Sequence, residues 1–189
     1  MHAEYFKYCE TTPEIRMAAF LIPGVSPVVP FNGGLHSPAA KIIPESITKI
    51  TELFGSKLPN VVVLNSNYWD LARFWLHLPH NLTQNYYEPS YLAEWMANFT
   101  CVVEQFRTLL TKAKLYYHTI PLFDFNESTG LDIRNRFGKA MLQAQLNAAG
   151  REASRRLGVH IIDIETMLAG FPVPYYLHDH HRTSDQPYY

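Results

Sequence analysis

The sequence predicts an α/β protein, a three-layer α/β/α sandwich in which helices cover both faces of a mostly parallel sheet. One observation is Val61–Leu64, an uninterrupted apolar run rich in β-branched residues, as in a strand that is buried on both faces. Another is that strand-like segments alternate with long amphipathic segments, because crossovers of that length connect parallel strands. Finally, a chain of 189 residues with 47% hydrophobic residues can form one domain, residues 1–189, around a substantial core.

The first half of the chain supplies two predicted strands and a helix. Ile15–Ile22 is apolar enough for a strand and is ended by a Pro-Gly pair. Ser46–Leu53 has apolar residues at helical spacing and is predicted to be a short helix. The strand Val61–Leu64 follows, and the chain becomes polar at Asn65.

The second half continues the alternation. Tyr91–Ala113 has apolar residues at spacings of three and four along most of its length, which predicts a long helix. The other predicted elements are the strand Leu115–Ile120, the helix Leu131–Leu157, the strand Val159–Ile164 and a helical turn at Glu165–Ala169. Gly150 is expected to be the weakest point of its helix, because glycine is a poor helix former.

Charge and composition exclude several classes of partner. The formal net charge of −1 offers no basic surface for nucleic acid or anionic lipid. No apolar run reaches the length of a membrane span. Cys9 and Cys101 are too few for a disulfide framework, and their spacing indicates no metal site. Whether they pair with each other, and in what oligomeric state the protein exists, does not follow from the sequence.

Three N-glycosylation sequons, at Asn81, Asn98 and Asn126, favour a secretory or extracellular protein and a possible glycoprotein. Asn98 lies inside a predicted helix, which makes it the poorest acceptor of the three. Met1–Cys9 has no apolar core of the kind a signal peptide needs, so this segment is not expected to be one.

A polar cluster follows the central strand. Asn65–Asp70, with the sequence Asn-Ser-Asn-Tyr-Trp-Asp, begins where the apolar run ends. Open α/β sheets bind ligands at the carboxyl ends of their strands, so the cluster is a candidate site. The alternative is a local turn in which Asn65 and Asn67 hydrogen-bond nearby backbone groups.

A second cluster lies near the C-terminus, where His178, Asp179, His180 and His181 are consecutive. An Asp that orients a His is the acid–base unit of many hydrolases. Alternatively the histidines bind a metal, although no second cluster of ligands stands out. The remaining alternative is a solvated tail without a chemical role.

The two clusters together resemble the SGNH (GDSL-like) hydrolase superfamily, and the PC-esterase branch most of all. The resemblance is carried by Asn-Ser-Asn-Tyr-Trp-Asp after the Val-rich strand, by Tyr117–Pro121 after the next strand, and by the late Asp and His. It spans about residues 20–184. It implies an α/β/α fold, related to that of flavodoxin, that hydrolyses or transfers acyl esters without a cofactor or metal.

The resemblance also implies roles for individual residues. Asn67 is expected to be the side-chain donor of the oxyanion hole, with Asn65 as the alternate. Gly34, or Gly33, would supply a backbone donor. The resemblance further implies a His base that is oriented by an Asp.

The C-terminal pattern departs from the family at one point. The family places its Asp three residues before the His, whereas Asp179 plus three is Arg182, which stays protonated and cannot act as a base. Either Asp179 pairs with His181 at a spacing of two, or His178 occupies the position of the acid, or the segment is degenerate. Asp179 paired with His181 is the favoured assignment, and His180 is the alternate base.

The first motif of the family is missing. The chain contains no Gly-Asp-Ser, and Ser26 in Gly-Val-Ser lies too close to Gly34 to leave room for the intervening helix. Ser26 is therefore a poor nucleophile candidate. The spacing places the missing strand and nucleophile at or before residue 1, as in an N-terminally truncated domain.

The expected function is therefore an esterase-like domain for a small-molecule or glycan acyl ester that turns over little without its nucleophile. The alternative is a non-catalytic domain that binds a glycan or a protein through the same cleft. Aromatic residues suited to stacking on a sugar are Tyr68, Trp69, Trp75, Tyr86 and Tyr87, although residues of this kind more commonly pack in the core. A metal-assisted hydrolase that uses His178, His180 and His181 is a third hypothesis.

Overall fold

The computed structural model describes residues 6–12, 15–20, 24–25, 39–55, 57–65, 70–71, 86–122 and 140–169, and the statements below concern those ranges. Within them the chain forms five strands and four helices in the order β1, β2, α1, β3, α2, β4, α3, β5 and α4.

The described structure contains a three-stranded parallel sheet. Its strands are β3 (Val61–Leu64), β4 (Lys114–His118) and β5 (His160–Ile162), adjacent in that order. Leu64 pairs with Tyr117, which pairs with Ile161 on its other side. The parallel α/β arrangement that the alternation of segments predicted is therefore confirmed.

The helices are α1 (Ala39–Leu53), α2 (Pro89–Leu109), α3 (Ala140–Leu157) and α4 (Ile164–Leu168). Successive right-handed crossovers in one direction along a sheet put their helices on the same face. Accordingly α2, between β3 and β4, packs against α3, between β4 and β5, and α1 also packs against α2.

The core lies between these helices and one face of the sheet. Leu64, Leu115 and Tyr117 point into it, and the ring of Phe99 on α2 meets the ring of Tyr117 edge-on, with centroids 5.4 Å apart. Gly150 on α3 lies directly over the Tyr117 ring, and a Cβ atom at that position would collide with it. Gly150 was predicted to be the weak point of its helix, but here the absence of a side chain leaves room for the Tyr117 ring.

The prediction that Val61–Leu64 is buried on both faces is wrong. Leu64 is buried, whereas Val61 and Val63 are 50% and 51% exposed. Side chains alternate between the two faces of a strand, and the face that carries Leu64 is the one that packs against the helices. A strand made only of apolar residues can therefore have one face that is partly exposed to solvent.

The predicted strand at Ile15–Ile22 exists but belongs to a different sheet. It is β2 (Ile15–Phe20), which pairs antiparallel with an unpredicted strand β1 (Phe6–Thr12) to form a two-stranded sheet. Only two residues separate the strands, so a hairpin forms locally without a crossover. Phe20 packs near Phe106, and Arg16 donates a hydrogen bond of 3.1 Å to the carbonyl oxygen of Phe54.

The other predicted elements occur with shifted ends. The first helix begins at Ala39 and not at Ser46, and it continues through Pro44 because Ile43 extends the buried stripe. The helix predicted at Tyr91–Ala113 is α2, with its proline at the start. Residues 131–139 of the helix predicted at Leu131–Leu157 lie outside the described ranges. The predicted strands Leu115–Ile120 and Val159–Ile164 and the turn Glu165–Ala169 correspond to β4, β5 and α4.

Candidate functional site

Most residues of the predicted site lie outside the described ranges. These are Ser26, Gly33, Gly34, Asn67, His178, Asp179, His180 and His181. Their convergence on one cleft therefore stays a prediction. Asn65, the alternate oxyanion donor, lies within the described ranges, and so does a side chain that it contacts.

Asn65 meets a histidine at the carboxyl ends of the parallel strands. Because Leu64 pairs with Tyr117, the residues that follow these two in the chain, Asn65 and His118, come side by side. The side-chain nitrogen of Asn65 lies 3.0 Å from Nδ1 of His118, and the same Nδ1 lies 3.1 Å from the carbonyl oxygen of Thr119. Asn65 is exposed and His118 is half-buried, so the pair reaches solvent.

The sequence analysis assigned no chemical role to His118. A signal was available, since an imidazole follows a strand at the edge of the sheet where the Asn cluster was expected. A single histidine is a weaker sequence signal than the cluster of His and Asp at residues 178–181.

Asp70 ends the polar cluster as a buried anchor. Its carboxylate is fully buried and accepts hydrogen bonds from the indole nitrogen of Trp95 at 2.7 Å and from the backbone nitrogen of Val25 at 3.1 Å. Val25 follows β2, Asp70 follows β3 and Trp95 belongs to α2. One carboxylate therefore joins the segments after two strands to the helix that covers the core.

The anchor also affects a neighbouring phenol. Tyr87 is buried, and its burial, followed by the negative charge of Asp70, raises the pKa of its phenol well above the usual value. Tyr87 therefore stays protonated at every physiological pH. Its backbone nitrogen donates a hydrogen bond of 2.7 Å to the side-chain oxygen of Gln145 on α3.

The aromatic residues that were candidates for sugar stacking differ in their exposure to solvent. Tyr87 is 2% exposed and belongs to the core, so the prediction that it stacks on a sugar is wrong. Tyr86, its neighbour, is 52% exposed and keeps the surface that stacking needs. Tyr68, Trp69 and Trp75 lie outside the described ranges.

A network of ion pairs lies at the carboxyl end of β5. Arg151 on α3 binds Asp163 and Glu165, with nitrogen–oxygen distances of 2.6 Å to each. The hydrogen bond from Arg151 lowers the pKa of the Asp163 carboxyl from 3.8 to about 2. Asp163 also caps α4 by accepting a hydrogen bond from the backbone nitrogen of Thr166.

The same network holds the end of β4. The hydroxyl of Thr119 donates to Asp163 at 3.1 Å and accepts from the backbone nitrogen of Glu165 at 2.9 Å. Asn147 on α3 is fully buried and bonds both backbone groups of Ile120, accepting at 3.0 Å and donating at 2.7 Å. These carboxylates and amides bond backbone and ion-pair partners within the fold, which is a structural role.

Groups of metal ligands and membrane-spanning helices are absent from the described ranges. No cluster of three or more His, Cys, Asp or Glu residues there has the arrangement needed to hold a metal ion. None of the described helices combines the length and the apolar character needed to cross a membrane. Cys101 is free and exposed, and the sequon residue Asn98 is half-buried within α2, as the helix prediction implied.

Scans of the chain against protein-family models, curated proteins and solved structures found no match.

Proposed function

We propose that this chain is an SGNH-like domain that binds acyl esters of small molecules or glycans at the carboxyl edge of its parallel sheet. One observation carries the proposal: the ends of β3 and β4 bring Asn65 and His118 together at a surface that reaches solvent. The carboxyl edge is where open α/β sheets bind their ligands. The three-layer sandwich is the finer part of this proposal, and it requires a further helical layer on the face of β3 that carries Val61 and Val63, which is half-exposed in the described structure.

The buried carboxylate of Asp70 gives the proposal a second support. By bonding the backbone of Val25 it holds the segment after β2 against the segment after β3. Gly33 and Gly34 follow the first of these segments, and Asn67 lies in the second. A backbone donor and an amide donor from these two segments are what an oxyanion hole requires.

In the proposed site Asn67 and Gly34 face the acyl oxygen, and His181, oriented by Asp179, is the base. No serine of the chain fits the position of the nucleophile by spacing. A base and an oxyanion hole without a nucleophile leave binding largely intact and remove most of the turnover. We therefore expect an ester-binding domain with little hydrolysis.

A non-catalytic glycan-binding domain is the second candidate. The half-exposed side chain of Tyr86 favours this candidate, because an exposed aromatic ring can stack on the apolar face of a sugar. The neighbouring residue, Tyr87, is buried in the core. The two candidates share the cleft and differ in whether the acyl group is recognised.

The test combines binding with hydrolysis. Glyceryl triacetate, a soluble ester, is titrated into ¹⁵N-labelled protein, and the backbone resonances of residues 65 and 118–120 are expected to move while those of α1 do not. Hydrolysis of short-chain p-nitrophenyl esters is expected to be negligible above buffer. Resonances that stay unchanged up to the solubility limit of the ester contradict the proposal. A robust rate that disappears in Ser26→Ala would show instead that Ser26 is the nucleophile.

A further inference from the structure

One edge of the parallel sheet is formed by β3. Among the described residues, β3 has a strand neighbour on one side only, which is β4. We propose that the open edge of β3 pairs with β3 of a second copy of this chain, antiparallel about a two-fold axis, to form a weak and reversible dimer. The sheets of the two copies then join into one continuous sheet, with the two β3 strands in the middle.

The ladder between β3 and β4 shows which backbone groups reach the open edge. The backbone nitrogen of Lys114 donates to the carbonyl oxygen of Asn60 at 2.9 Å. In a parallel ladder, successive residues of a strand direct their backbone groups alternately to one side and to the other. The groups of Val62 therefore face β4, as that of Asn60 does. The N–H and C=O groups of Val61 and Val63 face the open edge.

The sequence of β3 lacks the features that protect an edge strand. Natural edge strands commonly carry charged residues or proline, which keep other strands from pairing with them. Val61–Leu64 contains neither, and the side chains of Val61 and Val63 are 50% and 51% exposed. Within the described part of the chain, the edge thus combines backbone groups that have no strand partner with apolar side chains that reach solvent.

A second β3 strand is complementary to this edge. With the two-fold axis at Val62, Val61 of each copy lies opposite Val63 of the other, and each such pair exchanges two backbone hydrogen bonds. Every outward N–H and C=O group of the two residues then has a partner. Because Val61 and Val63 lie on the same face of the sheet, their side chains also pack against each other across the joined strands.

The charges near β3 do not oppose this pairing. Lys57 is the charged residue that most closely precedes the strand, and it is exposed. In an antiparallel pair the two copies of Lys57 lie at opposite ends of the joined strands. Two strands of this length bury much less surface than the roughly 1,600 Å² of a stable interface. The dimer is therefore weak, with a dissociation constant on the order of 0.1–1 mM.

Sedimentation and amide hydrogen exchange test the proposal on the wild-type chain. Sedimentation equilibrium is expected to show a monomer well below that dissociation constant and a dimer above it. By NMR, exchange at residues 61 and 63 should slow with rising concentration as the monomer fraction falls, while exchange at residues 62 and 64 should be slow throughout. In a mixture of ¹⁵N-labelled and ¹³C-labelled chains, an intermolecular contact between the amide of residue 61 and the side chain of residue 63 should confirm the register.

A proline at the open edge should prevent the pairing. Val63→Pro removes an outward N–H group without removing a bond to β4. It is expected to keep the circular dichroism spectrum and to weaken dimerisation at least about tenfold. Val63→Thr keeps both the N–H group and a β-branched side chain, so it is the matched control and should change the dissociation constant by less than about threefold.

A pair of charge variants tests the same register without a proline. In the chain with Val61→Lys and Val63→Lys, lysine lies opposite lysine, and in the chain with Val61→Glu and Val63→Glu, glutamate lies opposite glutamate. Each of these chains alone is expected to stay monomeric. An equimolar mixture of the two is expected to form a heterodimer, because opposite charges then face each other across the strands.

Three results would overturn the proposal. The first is a wild-type chain that stays monomeric at every concentration. The second is slow exchange at residues 61 and 63 in the monomer, which would show that another segment of the chain covers the edge. The third is a dimer that persists in Val63→Pro and in the lysine variant, because such a dimer uses a different surface.

Discussion

Single buried polar side chains hold this fold together where its strands end. Asp70 and Asn147 are both fully buried, and both bond backbone groups that lie beyond the end of a β-strand. A backbone N–H without a partner in the core would cost free energy comparable to a lost hydrogen bond. These side chains therefore replace the strand partners that Val25 and Ile120 do not have in the sheets.

Replacing the carboxylate of Asp70 should destabilise the protein markedly. In Asp70→Asn the side chain keeps one acceptor oxygen, while its NH₂ group faces either the Trp95 indole or the Val25 backbone, which are both donors. We expect the free energy of unfolding in urea to fall by about 1–3 kcal/mol. Glu104→Gln, at an exposed ion pair on α2, is the control and should change it by less than about 0.5 kcal/mol. Equal effects of the two substitutions would contradict the role of Asp70 as an anchor.

Asp163 should make stability depend on pH in the acid range. Its pKa is about 2 in the folded protein and about 3.9 in an unfolded chain. Because the folded value is the lower one, its stabilisation is fully present above about pH 4 and is lost as the pH falls toward 2. Asp163→Asn can still cap α4 but lacks the charge that binds Arg151.

Urea unfolding of the wild type and Asp163→Asn between pH 7 and pH 2 measures this contribution. The wild type should be the more stable protein at pH 7, and the difference should shrink below pH 4. Glu152→Gln, at the exposed pair with Arg156, controls for the general effect of removing an acid. A difference that is constant over the whole range would exclude the ion pair as its cause.

At the scale of the elements, the contact between α3 and β4 reverses the usual effect of a helical glycine. Exposed Gly→Ala substitutions in helices stabilise by about 1 kcal/mol. At position 150 the added Cβ would collide with the buried ring of Tyr117, which β4 holds in place. Helix propensity therefore predicts that Gly150→Ala stabilises the protein, whereas the contact with Tyr117 predicts that it destabilises the protein.

We expect Gly150→Ala to lower the free energy of unfolding by about 1–3 kcal/mol, as overpacked cores do. The measurement is urea unfolding followed by circular dichroism. Tyr117→Leu makes room at the same place, so the double variant should lose less stability than the sum of the two single variants. A stabilised Gly150→Ala would show that the ring can move away at little cost.

The elements also differ in how well the sequence predicts them. The long helix at Pro89–Leu109 was predictable because its buried residues recur at helical spacing over many turns. The pairing of Ile15–Phe20 was not, because a six-residue apolar strand can pair with any neighbour and its register depends on the hairpin with Phe6–Thr12. For the same reason the face that Val61 and Val63 occupy could not be read from their apolar character.

At the scale of the whole molecule, the parallel sheet brings distant segments to one edge. Asn65 and His118 are 53 residues apart and meet there, and Asp70 and Val25 are 45 residues apart and bond nearby. If the proposed site is correct, the segments that contain Gly33, Asn67 and His181 meet at the same edge. An oxyanion donor and a base must serve one reacting centre.

A spin label tests that convergence. In a background without Cys9 and Cys101, a label at Asn65→Cys should broaden the amide resonances of Gly33, Gly34 and the histidines at 178–181, which are expected within about 15 Å. A label at Leu58→Cys is the control, because exposed Leu58 precedes β3 at the opposite edge of the sheet. If the C-terminal histidines stay sharp with the Asn65→Cys label, they do not belong to the site at this edge.

The sequence alone determined the α/β class, the positions of the long helix and of the strand Val61–Leu64, and the polar cluster at its end; that this strand lies at one side of the described sheet, with β4 in the middle, it did not determine. These follow from local periodicity, which a helix or a strand expresses whatever it packs against. The tertiary structure alone decided that β2 forms a hairpin, that one face of β3 is half-exposed, and that Asn65 meets His118. Such outcomes depend on which distant segments share a sheet edge, and a contact between residues 53 positions apart leaves no periodic trace in the chain. The role of Asp70 belongs to the same group, since a buried acid differs from an exposed one only in the partners that the fold brings to it.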